Sequence, residues 1–435
     1  MNSPRIRSKF TLFALVALSS LSYGQATLQR QQRLNAVLAA PVSGAQLAAS
    51  TGLNLVGEIP GVAVSLQQPI GMPDDLFARL LNTVNESPDT IFAELDRRVI
   101  LPEFEGCAIT GQVGVQQCTI GFVSGAGPGE DCSQIELPAG LGLGPLLQEE
   151  STSVPIVAVI DSGIEPSLPI FETSLLHPGF DHVLDQPGGF ERLNGIDEDN
   201  DGLIDEAEGH GTHVATTILS LAPDALIVPI RVVDAEGIGF GFDVAEGVLS
   251  AINDGVDMIN LSLSMNAPSQ LVNLTLALAL SRGIEVYAAA GNTGLPQVLF
   301  PASFQGDPTG TFQVPANMPS GVIGVAALNS DSIALAFTSH GDAVDLCGLG
   351  ARVCAQVSSG AFQAWQGTSM ACATTTGAAA LVRSRIPNSF QSPIGELLIQ
   401  TARPVDSENP DFAGQLGAGA FDVFAAVAAA ESMAP

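Results

Sequence analysis

Apolar and polar positions follow two different rhythms along this chain. From residue 154 onward, near-continuous apolar runs recur at 154–160, 225–233, 256–263, 284–290 and 322–327. Runs that do not alternate with polar residues suit parallel strands covered on both faces. Helical spacing appears between several of them, at 213–221, 243–254 and 271–282, and again at 394–401 and 421–431, where packing helices would close the domain. Strands alternating with helices predict an α/β domain over 151–435, a doubly wound parallel sheet flanked by helices. In such a sheet the working residues gather at the carboxyl ends of the strands.

The preceding third of the chain lacks that rhythm. A helix near 29–38, strands at 53–59 and 62–66 turning at Pro60-Gly61, and a helix at 74–84 predict a small α+β unit over 25–100. From 101 to 150 the composition shifts to Gly, Pro and polar residues, with Cys107, Cys118 and Cys132, and predicts an irregular connector. Residues 1–24 read as a secretory signal. Arg5, Arg7 and Lys9 precede an apolar core at 10–21 that is too short to anchor in a membrane. No later segment is long and apolar enough to span a bilayer.

Charge and cysteine usage narrow the function classes. With 45 acidic and 15 basic residues the net charge is −30, which repels nucleic acid and anionic membrane as partners and suits divalent cations. Six cysteines in an exported chain suggest disulfides, for which fifteen full pairings exist. Cys347–Cys354 and Cys107–Cys118 are the local candidates, while Cys372 also reads as a small buried apolar residue.

The candidate chemistry centres on Gly367-Thr368-Ser369-Met370-Ala371, where a serine stands at the start of a helical stretch running through 374–382. Free N–H groups and the helix dipole there favour developing negative charge. A serine hydroxyl also needs a base, a group that orients the base, and oxyanion donors. Asp161 ends the first buried run, and His210 opens a helix between Gly209 and Gly211. Asp161 could hold one imidazole nitrogen while the other takes the proton of Ser369. Asn292, after the run at 284–290, could donate its side-chain amide to an oxyanion together with the Ser369 N–H.

Asp161-Ser162-Gly163, His210-Gly211-Thr212-His213-Val214-Ala215, Ala290-Gly291-Asn292 and Gly367-Thr368-Ser369-Met370-Ala371 occur in this order. The chain therefore resembles the subtilisin-like serine proteases, the subtilases, over about residues 155–431; their Asp, His, Ser order is a known one. The resemblance implies a secreted serine endopeptidase acting through an acyl-enzyme, with Asp161 as orienting acid, His210 as base, Ser369 as nucleophile and Asn292 as oxyanion donor. It leaves His213 a structural role. Ser262-Leu263-Ser264 resembles the strand that pairs with extended peptide substrates, Ser264 standing where the family usually has glycine. Ala373 stands where the family commonly has proline, a change expected to touch the first helical turn and stability rather than catalysis. The resemblance also implies that residues 25–100 are a propeptide, an intramolecular chaperone and inhibitor of the enzyme, removed by a cut between Leu101 and Val154 that is expected near 148–153; a plain extra domain that stays attached is the other reading. Two rivals remain: a serine-carboxyl peptidase, against which His210 counts, and a catalytically silent peptide-binding module on the same fold.

One loop has a chemistry of its own. The stretch 197–208 carries acids at its positions 1, 3, 5, 9 and 12 (Asp197, Asp199, Asp201, Asp205, Glu208), with Gly202 at position 6 and Leu203 at position 7. This is the spacing of an EF-hand calcium loop, in which Leu203 would offer its carbonyl. So many carboxylates repel one another unless a hard cation sits between them, and the expectation is a structural Ca2+ just before His210. A plain solvated acidic loop is the other reading.

Overall fold

A computed structural model describes residues 32–38, 43–60, 62–69, 72–86, 90–104, 132, 143–197, 202–306, 321–386 and 392–433. The signal-like stretch 1–24, Cys107 and Cys118, and loop residues 198–201 lie outside the described residues.

The leader unit runs β1 (Arg33–Leu38), α1 (Gly44–Thr51), β2 (Asn54–Ile59), β3 (Ala63–Gln67), α2 (Asp74–Glu86) and β4 (Thr90–Leu95). Its four strands form one sheet in the order β2-β3-β1-β4, every pair antiparallel. The helix expected near 29–38 is instead, over its described part, the central strand β1. Leu34, Ala36 and Leu38 join the leader's own core, while Val37 on the opposite face joins the core of the α/β domain. With both faces covered, the apolar run Ala36-Val37-Leu38 does not alternate, and spacing alone cannot tell it from a buried helix.

A short strand β5 (Arg98–Ile100) and a 3-10 turn (Pro102–Phe104) follow the leader sheet. The stretch 143–153 belongs physically to the α/β domain that follows. α3 (Gly144–Leu147) is flanked by buried Leu143 and contributes buried Leu146 to that domain's core. Thr152 N–H donates to Ser384 O at 2.7 Å, and Ser153 Oγ donates to Arg383 O at 2.8 Å.

The α/β domain contains β6 (Ile156–Asp161), α4 (Phe171–Ser174), β7 (Phe180–Asp181), β8 (Gln186–Pro187), α5 (His210–Leu221), β9 (Leu226–Arg231), β10 (Ile238–Phe240) and α6 (Gly241–Asp254). It continues with β11 (Met258–Leu261), α7 (Gln270–Ser281), β12 (Glu285–Ala289), β13 (Ile323–Leu328), β14 (Leu346–Leu349), β15 (Val353–Gln356) and β16 (Phe362–Trp365). Helices α8 (Thr368–Arg385), α9 (Ile394–Thr401) and α10 (Val423–Met433) complete it. The main sheet runs β14-β13-β12-β11-β6-β9-β7-β8, parallel except for the β7–β8 pair at its edge. Its two faces are buried in two separate clusters. One contains Val248, Leu276 and Leu280 of the α6–α7 side; the other contains Ile218, Ala379 and Leu381 of the α5–α8 side. This is the doubly wound architecture that the apolar runs predict.

Two leader carboxylates dock the leader by capping helices of the α/β domain. Glu94 accepts from Ser269 Oγ at 2.8 Å and from the N–H groups of Gln270 and Leu271 at 2.9 and 3.0 Å, at the start of α7. Asp96 accepts from Phe242 N–H at 3.1 Å, at the start of α6. Both satisfy N–H groups that have no partner within their own helix, and both lie at the positive end of its dipole.

The expected Cys347–Cys354 pair does not form, and the expected Cys107–Cys118 pair lies outside the described residues. Cys132 and Cys354 form a disulfide across 222 positions, while Cys347 and Cys372 are free and buried. Cys347 lies in sheet strand β14 with its thiol donating to Leu416 O at 3.3 Å, and Cys354 lies in the β15–β16 hairpin. Proximity in sequence therefore does not make Cys347 and Cys354 a pair. The Ala373 expectation also changes. Counted from Thr368, Ala373 is the sixth residue of α8, beyond the first turn, where proline would remove a helical hydrogen bond and alanine supplies it.

Candidate active site

Asp161, His210, Asn292 and Ser369 are brought together at the carboxyl ends of the parallel strands. Asp161 is the last residue of β6, and its Oδ1 accepts Ser162 N–H at 2.7 Å. The same oxygen accepts His210 Nδ1–H at 2.7 Å, with both side chains fully buried.

The sequence following His210 explains how the ring is held. A Cβ on Gly211 would stand 2.2 Å from Gly163 O, so only glycine lets α5 approach the turn after β6 this closely. Gly211 N–H donates to Ser162 Oγ at 3.1 Å, and Thr212 Oγ1 accepts Glu165 N–H at 2.9 Å. His213 points away from the reacting groups. Its Nε2–H donates to the carbonyls of Val353 and Gln363 at 3.0 and 3.2 Å, and its ring stacks on Trp365 at 4.7 Å. Burial pushes its pKa down to about 3, so it stays neutral.

Ser369 is the second residue of α8, after Gly367 at the helix cap. The helix start is tied to the strand ends on both sides. Thr368 donates its N–H and its Oγ1–H to Asn292 Oδ1, each at 2.9 Å. This turns the Asn292 amide so that Nδ2 lies on the Gly367 side, 3.4 Å from where a Gly367 Cβ would stand. Ser262 Oγ donates to Ser369 O at 3.0 Å, and Asn260 Nδ2 holds Ser262 Oγ at 2.9 Å.

A residue that the sequence reading missed completes the cluster. Glu103, in the 3-10 turn after the leader, is 2% exposed and sends its carboxylate between base and nucleophile. Its Oε2 accepts His210 Nε2–H at 3.1 Å and Ser369 Oγ–H at 2.9 Å. Burial alone would lower the His210 pKa, but Asp161 first and Glu103 second outweigh it and push it up to about 10. The ring is thus an imidazolium donating at both nitrogens.

The residues ahead of Glu103 lie in the cleft as an added strand. β5 pairs antiparallel with β10, Ile238 opposite Ile100, and on its other side Ile100 exchanges both backbone bonds with Ser264 at 2.9 and 2.8 Å. Leu101 N–H donates to Gly237 O at 3.1 Å, and Val99 and Leu101 are fully buried. Ser262, Leu263 and Ser264 therefore line a groove that accepts extended chain, and Ser264 is compatible with the pairing because its backbone makes both ladder bonds and its Oγ–H adds a third, to Ile100 O at 3.4 Å.

A model of the Subtilase family matches residues 152–419, more than half of the chain. The chain belongs to the subtilase family. This subtilase is 34% identical over 203 residues to thermostable alkaline protease of Halalkalibacterium halodurans, covering 45% of this chain and 52% of that protein. It is 32% identical over 255 residues to subtilisin E of Bacillus subtilis, covering 57% and 60%. The chain spans only about half to three-fifths of the length of these two relatives. Fervidolysin from Fervidobacterium pennivorans, described as a keratinolytic enzyme related to subtilisin, superposes with a TM-score of 0.66 at 21% identity, covering 93% of this chain and 62% of fervidolysin. At that identity the likeness concerns the fold, and its reach takes in the leader as well as the sheet.

The acidic loop is described in part. Asp197 Oδ2 accepts Gly202 N–H at 3.1 Å, which closes the turn between positions 1 and 6 as a cation loop requires. Asp205 turns elsewhere, its two oxygens accepting the N–H groups of Asn194 and Gly195 at 3.0 and 2.8 Å. Glu208 is exposed, and among the described residues no three acids, histidines or cysteines gather in metal-binding geometry.

Proposed function

We propose that this subtilase is an exported serine endopeptidase that hydrolyses peptide bonds of protein substrates through an acyl-enzyme on Ser369. The observation that carries this reading is the Asp161–His210 pair at 2.7 Å, set beside a serine at the N-terminus of α8. With Glu103 withdrawn, His210 Nε2 can accept the Ser369 proton as Oγ attacks the carbonyl carbon. Asp161 stabilises the resulting imidazolium and keeps the ring oriented. The Ser369 N–H and Asn292 Nδ2 receive the oxyanion. The imidazolium then protonates the leaving amine, and water repeats the sequence to release the acid. Backbone pairing to Ser264 and Gly237 supplies affinity for any extended peptide, and the hollows filled here by Val99 and Leu101 favour apolar side chains.

The leader acts in this reading as propeptide, chaperone and inhibitor of its own enzyme. Its removal requires a cut before Leu143, because 143–153 packs and hydrogen-bonds within the catalytic domain. A Ca2+ ion held by Asp197, Asp199, Asp201, the Leu203 carbonyl and Glu208 would order the chain entering α5; Asp205 would serve as a hydrogen-bonded brace rather than a direct ligand. Among the described residues no helix is long and apolar enough to cross a membrane. Hydrolysis of casein by the processed protein, and its loss in Ser369→Ala with the melting curve retained, tests the reading. Undiminished hydrolysis in that variant would end it.

A further inference from the structure

The strap formed by residues 98–103 follows the course of a bound peptide only part of the way. Ile100 and Ser264 form a hydrogen-bonded pair of an antiparallel ladder. In such a ladder the next hydrogen-bonded pair lies two residues on in one strand and two back in the other, which sets Pro102 opposite Ser262. Proline has no N–H to give to the Ser262 carbonyl, and here the chain turns into its 3-10 geometry. Ser369 Oγ lies 3.3 Å from that carbonyl. Past the turn, the group that reaches base and nucleophile is the Glu103 side chain. Its Oε1 lies against Gly367, 2.1 Å from where a Cβ would be, and has no hydrogen-bond partner although buried.

Resting on the peptide-hydrolase reading of this site, we propose that the Glu103 carboxylate is a built-in inhibitor of the triad. Pro102 takes the strap out of substrate register, so the cut that frees the enzyme falls after Phe104. The chemistry of the closed site supports this. Attack by Ser369 requires an acceptor for its proton, yet His210 Nε2 and Ser369 Oγ both donate to the same carboxylate oxygen. With Nδ1 bonded to Asp161 and Nε2 to Glu103, neither ring nitrogen is turned to the serine proton. The block is held by position and needs no change in the triad itself. The unpartnered Oε1 is a standing cost of the closed arrangement. It favours departure of the strap once a cut frees the leader from the rest of the chain.

The test compares the full-length chain with Glu103→Gln and Glu103→Ala. Each is treated with a fluorophosphonate probe immediately after folding, and uncut and cut bands are read separately. The inference expects the uncut wild-type band to label at least about tenfold more slowly than uncut Glu103→Ala, with the isosteric Glu103→Gln between them. It also expects cut wild-type chain to begin after Phe104. Equal protection of all three uncut bands would show that backbone pairing alone blocks the site, and equally fast labelling would show an open site; either overturns the carboxylate inhibitor while leaving the hydrolase reading intact. A new N-terminus at Glu103 would overturn the out-of-register strap. Failure of every band, cut or uncut, to label would remove the hydrolase reading itself.

Discussion

Asp96 of the leader and Phe242 of the α/β domain meet at the start of α6, the carboxylate accepting the Phe242 N–H at 3.1 Å. Burial of Asp96 at this contact makes leader docking depend on pH. Burial pushes the Asp96 pKa up to about 6, against the opposing pull of Asn35, the Phe242 N–H and Arg33, while Glu94 adds to the rise. Asp243, facing it from α6, is raised well above the usual range by burial and then by Asp96.

The sign follows from these directions. A carboxyl group with a raised pKa in the docked state stabilises that state most below its ordinary value and loses the contribution as pH rises through about 6. For Asp96 this amounts to at most ~3 kcal/mol. His210, raised to about 10 in the closed site, adds a second loss between its ordinary value near 6.5 and about 10. Hydrogen exchange at the Ile100 and Leu101 amides, corrected for intrinsic rate, should show protection falling steadily from pH 5 to pH 8. Constant or rising protection would contradict this coupling.

Asn292 is fixed through Oδ1 by two bonds from Thr368, which commits its amide to one orientation. Replacing it with leucine should lower kcat by about 10²–10³ with KM little changed, since an oxyanion donor acts in the transition state. A loss confined to KM would place the residue in substrate binding instead.

Much of this arrangement was legible in the sequence, for identifiable reasons. Apolar runs marked the parallel strands because both faces of the sheet are covered, and Asp161, His210, Asn292 and Ser369 each stand next to small residues that let a strand end or helix start come close. Glu103 was not legible. Its partner Ser369 is 266 positions away, and an acid in Leu-Pro-Glu-Phe carries no local sign of the groups it will meet. The same limit applies to Cys132–Cys354, a pairing across 222 positions that no local pattern announces, and to β1, whose two covered faces imitate a buried helix.

The calcium reading predicts that a chelator lowers the melting temperature of the processed protein and increases proteolysis within 197–208. Asp199→Asn should reproduce much of that loss, and Asp205→Asn should act even without calcium, because its carboxylate braces the Asn194 and Gly195 amides. A melting curve indifferent to chelation would return the loop to the solvated reading.

The Cys132–Cys354 bridge closes a loop of 222 positions. Cys132→Ser should cost about 2–4 kcal/mol of stability, the usual worth of such a crosslink, seen as a lower urea midpoint with an unchanged active-site labelling rate. A midpoint equal to wild type would contradict the crosslink.

Activation of Ser369 by His210 and Asp161 underlies the proposed hydrolysis, and peptide mass mapping of the processed protein after reaction with a fluorophosphonate tests it. One adduct per molecule is expected, on Ser369, lost in His210→Ala. A folded, processed protein that hydrolyses casein while Ser369 remains unmodified would contradict it.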